Sequence, residues 1–154
     1  MTKRPDPANP FRIGTRGSPL ALAQAHETRS RLAAAFDLPE AAFEIVVIKT
    51  TGDRVLDRPL KEIGGKGLFT REIEDAMLAG EIDIAVHSMK DMPVEQPGGL
   101  TLDCYLPRED VRDAFVAPAG GTLSNLAPGT RVGTSSLRRK AQLLNKRPDL
   151  EVVE

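Results

Sequence analysis

The residues best suited to chemistry follow a short apolar run in the middle of the chain. Ile84, Ala85 and Val86 form this run, and the next five residues read His-Ser-Met-Lys-Asp. Such a run predicts a strand that is covered on both faces of an α/β sheet. Ligands bind these sheets just beyond the carboxyl ends of the strands, which is where Lys90 and Asp91 fall. We therefore expect chemistry at these two residues; the alternative is a plain strand exit with solvated charges.

Two other segments predict helix N-termini that could bind anions. In each, a β-branched residue leads into Gly-Thr, a Ser stands at the N-cap position, and a helical pattern ends in Ala-Gln. The first has Ser18 at the cap with Arg16 nearby, and the second has Ser136 at the cap. Free backbone N–H groups beside an arginine suit a ligand with several carboxylates or phosphates. The alternative is that Ser and Thr only cap two helices.

Five motifs follow one another along the chain. They are IGTRGSPLAL (13–22), IGGKGLF (63–69), HSMKD (87–91), REDVRDAF (108–115) and GTSSLRR (133–139). With these motifs in this order, the chain resembles the porphobilinogen deaminase family, also called the hydroxymethylbilane synthases, over nearly its whole length from Arg12 onward. Each motif alone would be weak evidence, whereas their joint occurrence in one order is strong evidence for the family.

The resemblance implies a transferase of porphyrin biosynthesis, on the route to haem and chlorophyll. Such enzymes deaminate porphobilinogen and join the units head to tail into the linear tetrapyrrole hydroxymethylbilane. Loss of ammonia leaves a cationic azafulvene, which the free α-carbon of the growing chain attacks. In the family a cysteine of a third domain holds a dipyrromethane cofactor, and Cys104 does not match its position. We therefore expect no covalent attachment site in this chain.

This reaction needs a carboxylate near the pyrrole N–H groups, to stabilise positive charge and relay protons, and cations to hold the side-chain acids. By the resemblance, Asp91 is the catalytic carboxylate. The expected substrate- and cofactor-binding residues are Arg16, Ser18, Lys66, Lys90, Thr134, Ser135, Ser136, Arg138 and Arg139. One departure is visible, because Glu62 stands where the family often has a lysine. A contact from that position to the cofactor or growing chain is left open.

Composition narrows the function classes further. The chain has 154 residues with a formal net charge of −1, which argues against general nucleic-acid binding. It has no apolar stretch of membrane-spanning length and no signal-peptide core, so a cytoplasmic protein without a membrane partner is predicted. The single cysteine, Cys104, excludes a disulfide framework and is predicted to be a buried, inert thiol. No metal-ligand spacing is present, and the resemblance implies a monomer.

The predicted elements alternate between strand and helix, which is typical of an α/β fold. In the first helix Leu22, Ala25, Leu32 and Phe36 are expected to face the core, and in the second Phe69 is expected to do so. The predicted strands are 11–16, 43–48, 84–86, 100–106, 113–117, 130–134 and 150–154, and the predicted helices are 18–36, 68–79 and 136–146. The long stretch from about 50 to 67 has no period, and the resemblance implies a lid over the active-site cleft there.

The family resemblance implies a periplasmic-binding-protein-like (type II) architecture of two domains. We expect a flexible leader at 1–10, a nearly complete first domain at 11–107 and the start of a second domain at 108–154. Because the last predicted strand has barely begun at residue 154, we expect an N-terminal portion without the cofactor-bearing third domain and inactive alone. The rival hypothesis is a non-catalytic module of the same architecture that clamps a small polyanion. Lys90-Asp91 argues against it, because a carboxylate repels anions.

Overall fold

The computed structural model describes residues 4–54 and 67–154 and divides the chain into two compact units, Met1–Leu106 and Pro107–Glu154. Both units are built from parallel strands with helices between them, so the predicted α/β class is confirmed. None of the described helices is both long and apolar enough to cross a lipid bilayer. The elements of the first unit are β1 (Phe11–Thr15), α1 (Pro19–Phe36), β2 (Phe43–Val47), α2 (Thr51–Arg54), α3 (Arg71–Leu78) and β3 (Ile84–Ala85).

Strand β1 is the centre of the first unit's sheet. The strand order is β2-β1-β3, and both neighbours run parallel to β1. Ile13 lies opposite Ile45 on one side and Ile84 on the other. Since all three strands point the same way, their carboxyl ends meet at one edge of the sheet.

Two apolar clusters pack around this sheet. Ile13 belongs to the cluster that includes Phe43 and Ala33 of α1, whereas Ile73 of α3 and Ile82 form the other cluster. Successive residues of a strand point to opposite faces, so Gly14 turns away from the side of Ile13. A Cβ atom on Gly14 would lie 2.2 Å from Cδ1 of Ile82, which explains why glycine stands there.

The start of α1 follows local sequence signals, whereas the exposure of its last residue does not. Ser18 caps α1 by accepting the N–H of Ala21 at 3.3 Å, as predicted, and Pro19 is the first helical residue. Phe36 is 56% exposed, so the prediction that it faces the core is wrong. The chain reverses just after it, and Leu38 packs against the core instead.

The predicted helix 68–79 begins later than expected. Residues 67–70 form a turn, and α3 starts at Arg71 and ends at Leu78. The carbonyl of Leu68 accepts the N–H of Gly52 at 2.8 Å, which ties the turn to α2 rather than leaving it free to continue the helix. Phe69 therefore lies outside the helix, and its contacts belong to the candidate site described below.

The second unit contains one strand–helix–strand motif. Val132 of one strand lies opposite Val152 of the other, and Leu150 is buried beside them. The elements are β4 (Arg131–Gly133), α4 (Leu137–Lys146) and β5 (Glu151–Val153), all within predicted segments.

Two predicted strands are absent from the described residues. Neither 100–106 nor 113–117 has an assigned strand, because no described strand lies alongside them to pair with their backbone groups. Cys104 is exposed, so the prediction of a buried thiol is also wrong. The alternation of apolar and polar residues in this part of the chain was mistaken for a half-buried strand.

The close contact at Gly14 leads to a stability prediction. Gly14→Ala should lower the free energy of unfolding by about 1–3 kcal/mol, because Ile82 is buried and has little room to move away. Chemical denaturation measures this change. Gly98→Ala is the matched control, since a Cβ there meets nothing within 4 Å. Equal stability of both variants would contradict this packing.

Candidate active site

The carboxyl edge of the first unit's sheet brings several predicted residues together. Arg16 follows β1, and a short 3₁₀ turn, Met89–Asp91, follows β3. A small pocket lies at this edge. Its lining residues are Arg16, Ser18, Leu20, Ala21, Val86, His87, Ser88, Lys90 and Asp91. Four residues predicted for the site in the first unit, Arg16, Ser18, Lys90 and Asp91, therefore share one pocket.

Arg16 lies between two carboxylates. Its Nη1 atom is 3.5 Å from Oδ2 of Asp91. On its other side, Nε and Nη2 donate to Oδ1 of Asp53 at 3.1 and 2.5 Å. The guanidinium carbon lies 3.9 Å from the centroid of the Phe69 ring, so the cation also stacks on an aromatic face. The position of Arg16 is thus fixed from three directions.

Asp53 is a member of this site that the sequence analysis missed. It accepts the Thr50 hydroxyl at 2.8 Å and the Thr50 N–H at 3.3 Å, besides the Arg16 donors. The hydrogen bonds from Arg16 hold the pKa of Asp53 below its usual value, against the opposing effect of partial burial, and those from Thr50 act in the same direction. Asp53 is therefore a carboxylate at neutral pH. The Thr-Thr-Gly-Asp run just after β2 was the available signal.

Lys90 and Asp91 occupy the turn that follows β3. The N–H of Asp91 donates to the carbonyl of Ser88 at 2.9 Å, which fixes the backbone of the turn. Lys90 is exposed and forms no ion pair with a described carboxylate. Its charge is available to a ligand, in contrast to that of Arg16.

Two serine hydroxyls also line the pocket. Ser88 donates to Oε1 of Gln24 on α1 at 2.9 Å, which joins the turn after β3 to the helix after β1. Ser18 uses an oxygen lone pair to cap α1, so its O–H hydrogen remains free to donate. Capping and ligand binding are therefore compatible at Ser18.

His87 is a neutral side chain at neutral pH. Burial lowers its pKa, and the charges of Glu74 and Asp91 oppose this effect. A neutral, half-buried imidazole suits a structural role beside the site. No group of three His, Cys, Asp or Glu residues in the described part of the chain could hold a metal ion.

The second unit has its own group of predicted residues at the start of α4. Ser136 caps the helix by accepting the N–H of Arg139 at 3.4 Å, and the Thr134 hydroxyl accepts the N–H of Ser136. Arg139 donates to Asp113 at 2.6 Å, and this contact lowers the pKa of Asp113. The members of the group are Thr134, Ser135, Ser136, Arg138 and Arg139.

Arg138 differs from Arg139 in its environment. It is exposed and has no ion-pair partner among the described residues of its unit, so its charge is available to an anion. Ser135 is exposed beside it. Lys66, also predicted for the site, lies outside the described residues.

Comparison with known proteins identifies the family. The family model described as "Porphobilinogen deaminase, dipyromethane cofactor binding domain" matches residues 11–154. The chain belongs to the porphobilinogen deaminase family. The resemblance predicted from the five motifs is thereby confirmed.

Curated relatives agree with this assignment. The porphobilinogen deaminase of Paracoccus denitrificans is 75% identical over the whole chain, which covers 49% of that protein. The chloroplastic porphobilinogen deaminase of rice is 63% identical over 93% of this chain and 40% of its own length. The Geobacter sulfurreducens porphobilinogen deaminase is 59% identical over 94% of this chain and 45% of its own. The chain therefore spans about half the length, or less, of these relatives.

Each unit, taken by itself, offers polar groups that suit part of a dipyrromethane of a porphobilinogen deaminase. Such a group carries acid side chains, which need cations, and pyrrole N–H groups, which need an acceptor. The first unit offers Lys90, the Ser18 hydroxyl and the Asp91 carboxylate around one pocket, with Leu20 and Val86 as apolar walls. The second unit offers Arg138 at a capped helix N-terminus.

The lowered pKa of His87 leads to a prediction on pH. In the unfolded chain His87 takes up a proton near its ordinary pKa of about 6.5, whereas in the folded state its lowered pKa delays protonation to lower pH. Its contribution to stability is therefore complete above about pH 6.5 and is lost as the pH falls below that, with a slope of at most ~1.4 kcal/mol per pH unit. His87→Gln should flatten the dependence of the unfolding free energy on pH between about 5 and 6.5.

The exposed His26 on α1 provides the control for this experiment. His26→Gln should keep the slope of the parent protein. If both variants retain that slope, His87 is not the group responsible.

Proposed function

We propose that this chain supplies the catalytic carboxylate and the main anion-binding residues of a hydroxymethylbilane synthase. The whole enzyme would polymerise porphobilinogen, with release of ammonia, into hydroxymethylbilane. The observation that carries this proposal is the position of Asp91 beside Arg16 and Lys90, at the carboxyl edge of the sheet, in a chain of the porphobilinogen deaminase family.

Asp91 would act on the substrate pyrrole. When the C–N bond of the protonated aminomethyl group breaks, the electron pair leaves with the nitrogen as ammonia, and the positive charge stays on the ring and its N–H. A carboxylate that accepts this N–H stabilises the charge as it develops. A new C–C bond then joins the methylene carbon to the α-carbon of the growing chain, which loses a proton that Asp91 is suited to relay. The dipyrromethane, when bound, supplies the first free α-carbon.

The cations would hold the acid side chains of the pyrroles. Lys90 and Arg138 are the available charges in their respective units, and the hydroxyls of Ser18 and Ser135 could donate to the same acids. Arg16 already lies against two carboxylates, so its main contribution would be to hold Asp91 in place. The remaining members of the proposed binding set are Lys66, Thr134, Ser136 and Arg139.

The broader organisation is part of the same proposal. The two units would be a first domain at 11–107 and the start of a second at 108–154 in a type II periplasmic-binding-protein-like architecture. The family resemblance supports a cytoplasmic monomer with a dipyrromethane cofactor. A module that only clamps a polyanion is less well supported, because Asp53 and Asp91 both flank Arg16 and would repel an anion there.

The proposed role of Asp91 predicts a large loss of turnover. In the holoenzyme, Asp91→Asn should lower kcat by about 100-fold or more, since the amide accepts the pyrrole N–H without carrying charge. The rate of hydroxymethylbilane formation is the measurement, and circular dichroism checks the fold. Asp83→Asn is the control, because Asp83 pairs with Arg12 at the other end of β1. Activity of Asp91→Asn close to that of the control would remove Asp91 from the catalytic role.

The proposed role of Arg138 predicts a defect in cofactor or chain binding. Arg138→Leu should leave a smaller fraction of the enzyme carrying the covalent dipyrromethane, which intact-mass spectrometry measures directly. Arg131→Leu, in the strand before it, removes an exposed arginine that pairs with Glu151 and should load normally. A fully loaded and active Arg138→Leu enzyme would contradict the assignment.

A further inference from the structure

Asp53 is hydrogen-bonded to two neighbours in the candidate site, Arg16 and Thr50. Its carboxylate accepts hydrogen bonds from Nε and Nη2 of Arg16 and from the N–H and hydroxyl of Thr50, which is fully buried. The side chains of Arg16 and Asp53 are only 17% and 23% exposed. A pair of this kind is screened less by solvent than a surface ion pair, and its two-point geometry fixes the orientation of the guanidinium.

The short helix that carries Asp53 is anchored independently of Arg16. Oε1 of Glu72 accepts the N–H and the hydroxyl of Thr51 at 2.8 and 2.5 Å. The neighbouring Gly52 lies so close to Phe69 that a Cβ atom would be 2.2 Å from the ring. This helix therefore carries the carboxylate that pairs with Arg16, and it also contacts the Phe69 ring on which Arg16 stacks.

We propose that Asp53 is a positioning residue, which holds the guanidinium of Arg16 on the Phe69 ring so that only Nη1 faces Asp91. This inference rests on the proposed function for the role of Asp91, whereas the orientation of Arg16 can be measured without it. Nε and Nη2 are engaged by Asp53, which leaves Asp91 a single contact at 3.5 Å. The remaining lone pairs of Asp91 stay available to a pyrrole N–H.

Loss of the Asp53 charge would redirect Arg16. The nearest remaining carboxylate is that of Asp91, and guanidinium groups prefer two parallel hydrogen bonds to one long contact. A two-point pair between Arg16 and Asp91 would occupy the oxygen atoms that the substrate needs. Asp53 would thus keep Arg16 from occupying the oxygen atoms of Asp91.

The chain offers a matched control for this idea. Asp83 receives Nε and Nη2 of Arg12, each at 3.1 Å, so it forms a two-point pair of the same chemistry. That pair lies near the start of β1 and is more exposed, at 35% and 33%. Asp83→Asn therefore removes an equivalent ion pair without touching the site.

The test compares Asp53→Asn, Thr50→Val and Asp83→Asn in the holoenzyme. Asp53→Asn should lower kcat about tenfold or more and change KM less than threefold, because the amide retains the shape but not the charge. Thr50→Val should give a smaller loss in kcat, since it removes one anchor of Asp53. Asp83→Asn should stay within twofold of the parent. Nitrogen-15 NMR provides the second readout, in which the Arg16 Nε–H should exchange slowly with solvent in the parent and rapidly in Asp53→Asn.

The outcomes separate the positioning role from the reaction. A parent-like kcat in Asp53→Asn, or an Arg16 Nε–H that stays protected there, would overturn the proposal. Equal losses in Asp53→Asn and Asp83→Asn would also overturn it, because they would indicate a general loss of stability. If Asp53→Asn fails to fold, Thr50→Val decides: an unchanged kcat with an unchanged Nε–H would overturn the proposal. If the parent itself makes no hydroxymethylbilane, the proposed function fails, while loss of protection only in Asp53→Asn still supports the positioning role.

Discussion

The parallel pairing of β1 with both of its neighbours is the constraint on which the first unit depends. Because β2 and β3 run in the same direction as β1, the segments that follow all three strands leave from one edge. Arg16, Asp53 and Asp91 come from those three segments, and the first and last of them are 75 residues apart in the sequence. A single helix, strand or turn could not bring these three residues together. The close approach of Gly14 to Ile82 allows α3 to pack on the sheet that holds them together.

Charge balance around Arg16 connects this geometry to the chemistry. One guanidinium lies against two carboxylates, so the trio carries a net negative charge when all three groups are ionised. Such a site is suited to a cation that develops during a reaction, and less to a resting anion. Lys90 lies on the same pocket with an unpaired charge among the described residues, which suits an acid side chain. A deaminating condensation of acidic pyrroles presents both features, because a cation develops on the pyrrole during the reaction and the pyrrole also carries acid side chains.

The sequence predicted the elements with strong local signals. Ser18 and Pro19 predicted the start of α1, and the apolar run at Ile84 predicted a strand, which forms at Ile84–Ala85 but is half-buried rather than covered on both faces. The segments around Cys104 and Phe115 have strand-like alternation, but a strand forms only where a partner can pair with it, and single-sequence patterns carry no information on partners. Phe36 shows the same limitation for burial, because helical spacing does not reveal where the chain turns.

The candidate site could be predicted in part for a similar reason. Arg16, Lys90 and Asp91 belong to motifs whose residue types suit an anionic ligand, and they share a pocket. The pairing of Asp53 and Phe69 with Arg16 could not be predicted from sequence, because it depends on contacts across the chain. The Thr-Thr-Gly-Asp run was read only as the start of a loop. Long-range ion pairs leave no periodic pattern in a sequence.

A crystal structure of the holoenzyme with its pyrrole chain bound would test the catalytic role of Asp91. The quantity to measure is the distance from the Asp91 carboxylate to the nearest pyrrole nitrogen. We expect a hydrogen bond of about 2.7–3.2 Å, with Arg16 still paired to Asp53. A pyrrole chain whose nitrogens all lie beyond hydrogen-bond distance of Asp91, with Asp91 paired only to Arg16, would contradict it.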